Sequence, residues 1–168
     1  VSRGLIALAL CAALAFAGCG GSEDSSTGST ATTTESAALT KKPKVTVPSG
    51  PPPKQLEIKE LQPGSGAEVE NGDYVTVQYV GVNYKSGKEF DASWNRGEPY
   101  PFTVGASEVI PGWDKGLLGM RPGGRRELII PPDLAYGETG SPPVIPPNET
   151  LVFVIDLFEV STPPGSAG

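Results

Sequence analysis

Histidine is absent from the 168-residue chain. That removes the usual general base, the commonest metal ligand and every Ser/His or Cys/His nucleophile pairing. Cysteine is nearly absent: Cys11 and Cys19 both precede residue 20, so the rest of the chain can close no internal disulfide and must stand on packing. Basic residues are scarce, 13 Lys and Arg against 19 Asp and Glu, for a net charge of -6. Nucleic-acid binders need clustered Lys and Arg, so this balance argues against such a partner. The pair Arg125 and Arg126 reads as the solvated edge of a strand. No cofactor and no metal is implied.

Glycine and proline are abundant instead, 22 and 18 residues, and their distribution divides the chain. Residues 1–18 carry one basic residue, Arg3, and then an apolar run from Leu5 to Ala17. The run is too short to span a bilayer comfortably and has the layout of an export signal. It ends in "FAGC", which resembles the lipobox of bacterial lipoproteins, with Phe16 where Leu is usual. The resemblance implies cleavage before Cys19 and a lipid on its sulfur. Cys11, inside the apolar run, reads as a small apolar residue.

Residues 19–53 form a lipidated Cys followed by Ser, Thr, Gly and Pro with almost no large apolar side chains, which predicts a disordered tether. Residues 161–168 read as a similar tail. Between them, 54–160 shows periodic patterning. "DYVTVQYVGVNY" alternates, with Val75, Val77 and Tyr79 on one face of a half-buried strand and Thr76, Gln78 and Val80 on the other. "KQLEIKELQ", "RRELII" and "TLVFVIDLFEV" read as further strands. "PGWDKGLLGM" reads as the one short helix: Pro111 suits its first position, Trp113 and Leu117 share a face, and Gly119 suits a left-handed stop. The predicted class is α+β, an antiparallel sheet of roughly five strands covering that helix.

The stretch from Leu134 to Phe153 is a long connection between periodic segments. Pro142, Pro143, Pro146 and Pro147 fix their own φ and remove donors, so the loop is stiff and suited to presenting side chains.

"VQYVG", "GKEFDASWNRGEPYPFTVG", "EVIPGWDKGLLGMRPGGRRELIIPPDLAYG" and "IPPNETLVFVIDL" together resemble the FKBP-type peptidyl-prolyl cis/trans isomerases, in family order across essentially all of 54–160. The resemblance implies a half-barrel sheet wrapped around the helix, with a proline-binding pocket between them. Carried over residue by residue, it assigns catalytic roles to Tyr79, Asp91, Tyr136 and Phe153. Phe90, Tyr100, Val109, Ile110, Trp113 and Ile145 become substrate-binding residues, with Trp113 as the floor. It also implies that the Ile110 N–H and the Tyr136 hydroxyl donate to ligand carbonyls. Tyr100 stands where Phe is usual, and Ser141 where some members carry an aromatic or His.

Taken singly, Phe153, Tyr79, Val109 and Trp113 would be core in many small sheet proteins, and Asp91 a surface residue paired with Arg96. The functional reading rests on the whole set. The expectation is therefore a monomeric, exported isomerase, lipid-anchored through Cys19 on the outer face of a bacterial cytoplasmic membrane or in the periplasm. Its partners would be proline-containing polypeptides of exported proteins and rapamycin-like macrolides. The alternative is a proline-binding chaperone or interaction module with little turnover.

Overall fold

The computed structural model describes residues 39–161. The expected signal 1–18, Cys19 and residues 162–168 of the expected tail lie outside the described residues.

Six strands, β1 (Glu57–Gln62), β2 (Tyr74–Asn83), β3 (Glu89–Ala92), β4 (Tyr100–Thr103), β5 (Arg125–Ile130) and β6 (Leu151–Ser161), are joined by two short helices, α1 (Ser93–Arg96) and α2 (Pro111–Gly116). All strand pairs are antiparallel, in the order β1-β5-β6-β2-β3, and β4 also pairs with β2. The α+β expectation holds with two strands that the pattern did not reveal. β3 and β4 have four residues each, too few to show a period. The edge strand β1 is exposed over Glu57–Leu61, carries Glu57, Lys59 and Glu60, and is interrupted by a bulge between Glu60 and Gln62.

Alternation divides the sheet's apolar residues between two clusters. On the inner face Val75, Val77, Tyr79, Leu128, Phe153 and Ile155 pack with Trp113 and Leu117 of the helical segment. On the outer face Val80, Val82, Tyr84, Ala92, Ile129 and Val152 form a second cluster. β2 was predicted to be half-buried, yet from Val77 to Asn83 every residue is buried. The reason is a cover on the outer face: Val45 and Val47 pack against the second cluster, as does Trp94 of α1. Residues 39–53 therefore depart from the free tether expected of 19–53. Pro43, Val45 and Val47 are half-buried and alternate with exposed Lys44 and Thr46, and Leu39 is buried, so apolar side chains help to seat the segment.

α2 begins as predicted, with Pro111 at its first position behind an extended Ile110. It is shorter than its motif, because the turn closes through Leu117 and reverses at Gly119, whose φ is +73°. Two glycines set how close it lies to the sheet. A Cβ at Gly112 would run into Ile130, and one at Gly116 would lie 2.6 Å from Leu128 Cδ1. Arg126 completes the arrangement. Predicted as a solvated edge residue, it is buried; its Nη1 donates to the carbonyls of Gly116 at 2.8 Å and Leu118 at 3.0 Å, and its Nη2 meets Glu60 Oε2 at 2.8 Å. These are carbonyls left over at the helix end, which a guanidinium fork is shaped to satisfy. Arg125 is likewise drawn inward, making a two-pronged pair with the fully buried Asp156 at 2.5 and 2.9 Å.

The long connection before β6 is tied to itself. It opens with a 3-10 turn at Pro132–Leu134 and is then cross-braced where Ser141 and Ile145 exchange backbone hydrogen bonds of 2.8 and 2.9 Å. Asn83 Nδ2 donates to the Val144 carbonyl at 2.9 Å, fastening the brace to β2. Gly140 permits the turn: its φ is +67°, and a Cβ there would sit 2.5 Å from the carbonyl oxygens of Ile145 and Pro146. Gly140→Ala is expected to cost about 1 to 3 kcal/mol through left-handed strain and that contact with backbone. A lowered midpoint in urea unfolding checks this; an unchanged midpoint would show that the loop relaxes freely.

Candidate active site

The inner face of the sheet is longer than α2, and the space beyond the helix is a cavity of about 440 Å³. That lies within the range of small-ligand pockets, about 300 to 1,000 Å³. Each surrounding element supplies part of the wall. β2 contributes Tyr79, β3 Phe90 and Asp91, β4 Tyr100, and β6 Phe153. The turn into α2 adds Glu108, Val109 and Ile110, the helix Pro111 and Trp113, and the braced loop Tyr136.

Register explains the clustering. Gly81 of β2 pairs with Phe153 on one side and with Asp91 on the other, so side chains from β3 and β6 meet above a residue that has none. A Cβ at Gly81 would lie 2.7 Å from both Phe90 Cζ and Phe153 Cε1. In its absence the two rings meet edge-to-face at 5.5 Å and 90°. Trp113 is the common neighbour of the other rings. It is T-shaped to Tyr79 at 5.0 Å, to Phe153 at 5.2 Å and to Tyr100 at 6.4 Å. Such contacts fix ring orientation in addition to burying area. The Trp113 indole N–H is buried and has no acceptor among the described residues.

One polar cluster interrupts the apolar wall. The Tyr79 hydroxyl donates to Asp91 Oδ2, and Arg96 donates to both partners, through Nη1 to Asp91 Oδ1 at 2.5 Å and through Nη2 to the Tyr79 oxygen at 2.9 Å. The guanidinium also lies 5.7 Å from the Tyr79 ring centre. Burial and the hydrogen bond to Asp91 push the Tyr79 phenol up to about 12. Burial, followed by the charge of Asp91, also raises Tyr136. Both phenols remain neutral donors at physiological pH. Tyr136 is 42% exposed, and among the described residues nothing accepts from its hydroxyl. The Ile110 N–H, just ahead of α2, likewise has no protein acceptor among the described residues.

Nine of the ten pocket residues expected from the sequence line this cavity: Tyr79, Phe90, Asp91, Tyr100, Val109, Ile110, Trp113, Tyr136 and Phe153. Ile145 does not. It is 3% exposed and belongs to the inner core, with its backbone engaged in the loop brace. Sequence reasoning missed Glu108 and Pro111 as wall residues, and it missed the part played by Gly81. Arg96, read from the sequence as a partner of Asp91, also bonds Tyr79. Glu108 had no periodic context, and Gly81 carries no side chain to read.

The site is thus an aromatic cavity between an antiparallel sheet and a six-residue helix, with a Tyr–Asp–Arg cluster at its wall. Residues 66–158 match the family model described as FKBP-type peptidyl-prolyl cis-trans isomerase. An FK506-binding protein of Streptomyces anulatus is 54% identical over 120 residues, covering 71% of this chain and 97% of its own length. A probable FK506-binding protein of Corynebacterium glutamicum is 46% identical over 70% of this chain and 97% of its own length. The crystal structure of AtFKBP13 superposes with a TM-score of 0.58 at 39% identity, covering 62% of this chain and 91% of the other. The chain belongs to the FKBP-type peptidyl-prolyl cis-trans isomerases.

The reaction needs no group that the chain lacks. Rotation about an X-Pro bond must break amide resonance, a barrier of about 18 to 20 kcal/mol, but it cleaves no bond and moves no proton. The twisted amide has lost charge separation, so an apolar cavity favours it over the planar form, and a pocket shaped to a turned peptide adds differential binding. A thousandfold to millionfold acceleration requires about 4 to 8 kcal/mol, within reach of packing plus one or two aimed donors. With both phenols raised above their ordinary value, kcat/KM is expected to be nearly flat from about pH 6 to 8. A pH–rate profile checks this. A titration near neutrality that disappears in Asp91→Asn would demonstrate proton transfer instead.

Proposed function

We propose that this isomerase serves the folding of exported polypeptides while held at a bacterial membrane, on the outer face of a cytoplasmic membrane or in a periplasm, by lipid on Cys19. Two sequence features support the location: the apolar run from Leu5 to Ala17, and the "FAGC" that follows it. Replacing Cys19 by Ala is expected to move the full-length protein from the membrane fraction to the soluble exported fraction, or to leave an uncleaved precursor. Wild-type protein found soluble and without lipid would overturn the location and leave the isomerase unaffected.

For the site, the observation that carries the reading is the enclosure of one cavity by Tyr79, Tyr100, Trp113 and Phe153 around a shared indole. In this reading the proline ring enters the cavity and lies on Trp113. Phe90, Tyr100, Val109 and Phe153 form its apolar walls. The Ile110 N–H and the Tyr136 hydroxyl, both without protein acceptors among the described residues, donate to carbonyls of the bound chain. Asp91 acts as a fixed acceptor. Held by Tyr79 and Arg96, it shapes the pocket's field without exchanging protons. A rapamycin-like macrolide would occupy the same space, offering its carbonyls to those two donors, and the domain acts as a monomer.

Tyr136→Phe removes one donor and leaves the ring. It is expected to keep its fold and to bind such a macrolide about twofold to tenfold more weakly, the worth of one net hydrogen bond. Titration calorimetry beside a proline-isomerisation assay measures both effects. Unchanged affinity would refute the donor role of Tyr136.

A further inference from the structure

The family match begins at residue 66, yet the structure seats a segment well upstream of it against the active-site elements. Lys42 Nζ lies 2.7 Å from Glu89 Oε2 and donates to Glu89 Oε1 and Asn95 Oδ1, both at 2.8 Å. Asn95 Nδ2 closes the ring by donating to Glu89 Oε1 at 2.7 Å. Glu89 opens β3, and Asn95 lies in α1 immediately before Arg96. The two residues that Lys42 joins thus bracket the run that carries Phe90 and Asp91, and Asn95 adjoins Arg96. Asp91 and Arg96 together hold the polar cluster against Tyr79.

Lys42 is itself held in place. One residue earlier, the Lys41 carbonyl accepts from Arg125 Nη2 at 3.1 Å, and Arg125 is fixed by the buried Asp156. Beyond it, Val45 and Val47 lie on the outer cluster, and the Pro51 carbonyl accepts from the Tyr84 hydroxyl at 3.4 Å. A lysine anchored on both sides has lost much of the freedom that makes most exposed ion pairs weak. The Lys42 hydrogen bond holds the Glu89 carboxyl below its ordinary value.

We propose that Lys42 is a positioning residue of the isomerase: by clamping Glu89 to Asn95 it fixes the β3–α1 turn, and so the placement of Asp91 and Arg96 at the pocket wall. It touches neither substrate nor the reacting bond. Other ties share the task, since Ser93 Oγ donates to Gln78 Oε1 at 2.5 Å and accepts from the Tyr79 N–H at 2.8 Å, so the effect is one of tuning. The proposal rests on the isomerase assignment, which wild-type turnover tests separately.

The test uses the full-length chain carrying Lys42→Ala, Lys42→Arg or, as a charge control on β1 away from the pocket, Lys59→Ala. At low ionic strength Lys42→Ala should lose about threefold to tenfold in kcat/KM, chiefly in kcat, with a nearly unchanged unfolding midpoint. Lys42→Arg should recover most of the loss, Lys59→Ala should match wild type, and the gap should narrow at about 1 M salt. The proposal is overturned if Lys42→Ala matches wild type, if Lys59→Ala loses as much, or if the loss only tracks a lowered midpoint.

Discussion

Everything at the active site depends on how closely α2 approaches β5. Gly112 and Gly116 give the helix a face without side chains, and Ile130 and Leu128 fill the space a Cβ would have taken. Bringing backbone that near turns Trp113 into the floor of the cavity, with Leu117 filling the core behind it. Because α2 has only six residues, it cannot cover the whole inner face of a six-stranded sheet. The uncovered remainder is the aromatic cavity, which follows from a mismatch between helix and sheet. Arg126 keeps the short helix viable by occupying carbonyls that a further turn would have used.

The chemistry suits what that geometry provides. Rotation of an amide demands an environment, and the wall supplies rings in fixed orientation beside a Tyr–Asp–Arg cluster whose charges are mutually paired. A buried carboxylate without partners would bring a heavy desolvation cost, whereas Asp91 is held by a phenol and a guanidinium and is still partly in water. The absence of histidine, which first excluded most hydrolytic and metal chemistry, therefore costs this reaction nothing.

Much of this was legible in the sequence, for reasons that can be named. The long strands β2, β5 and β6 and the start of α2 carry strong local signals: alternation, a proline at the first helical position, a glycine at the reversal. Nine wall residues followed from a resemblance spread across the whole domain. What stayed hidden was of three kinds. β3 and β4 are too short to have a period. Arg125 and Arg126 looked solvated because local sequence cannot show that Asp156 and the end of α2 wait for them across the sheet. The segment around Val45 reads as tether because two valines among Ser, Thr and Pro make a weak pattern, and it is an outer face still needing cover that gives them a place. Ile145 shows the reverse case: the resemblance put it at the pocket, while the loop brace sets it in the core.

The exposed strand β1 has a bearing on the company the protein keeps. An open sheet edge invites polypeptide segments with unpaired backbone to add as a further strand. β1 counters this with alternating acidic and basic side chains and with the bulge between Glu60 and Gln62, which breaks the row of donors and acceptors that an added strand would follow. That edge therefore resists being used as a template by an added strand, and the sheet keeps its six strands to itself.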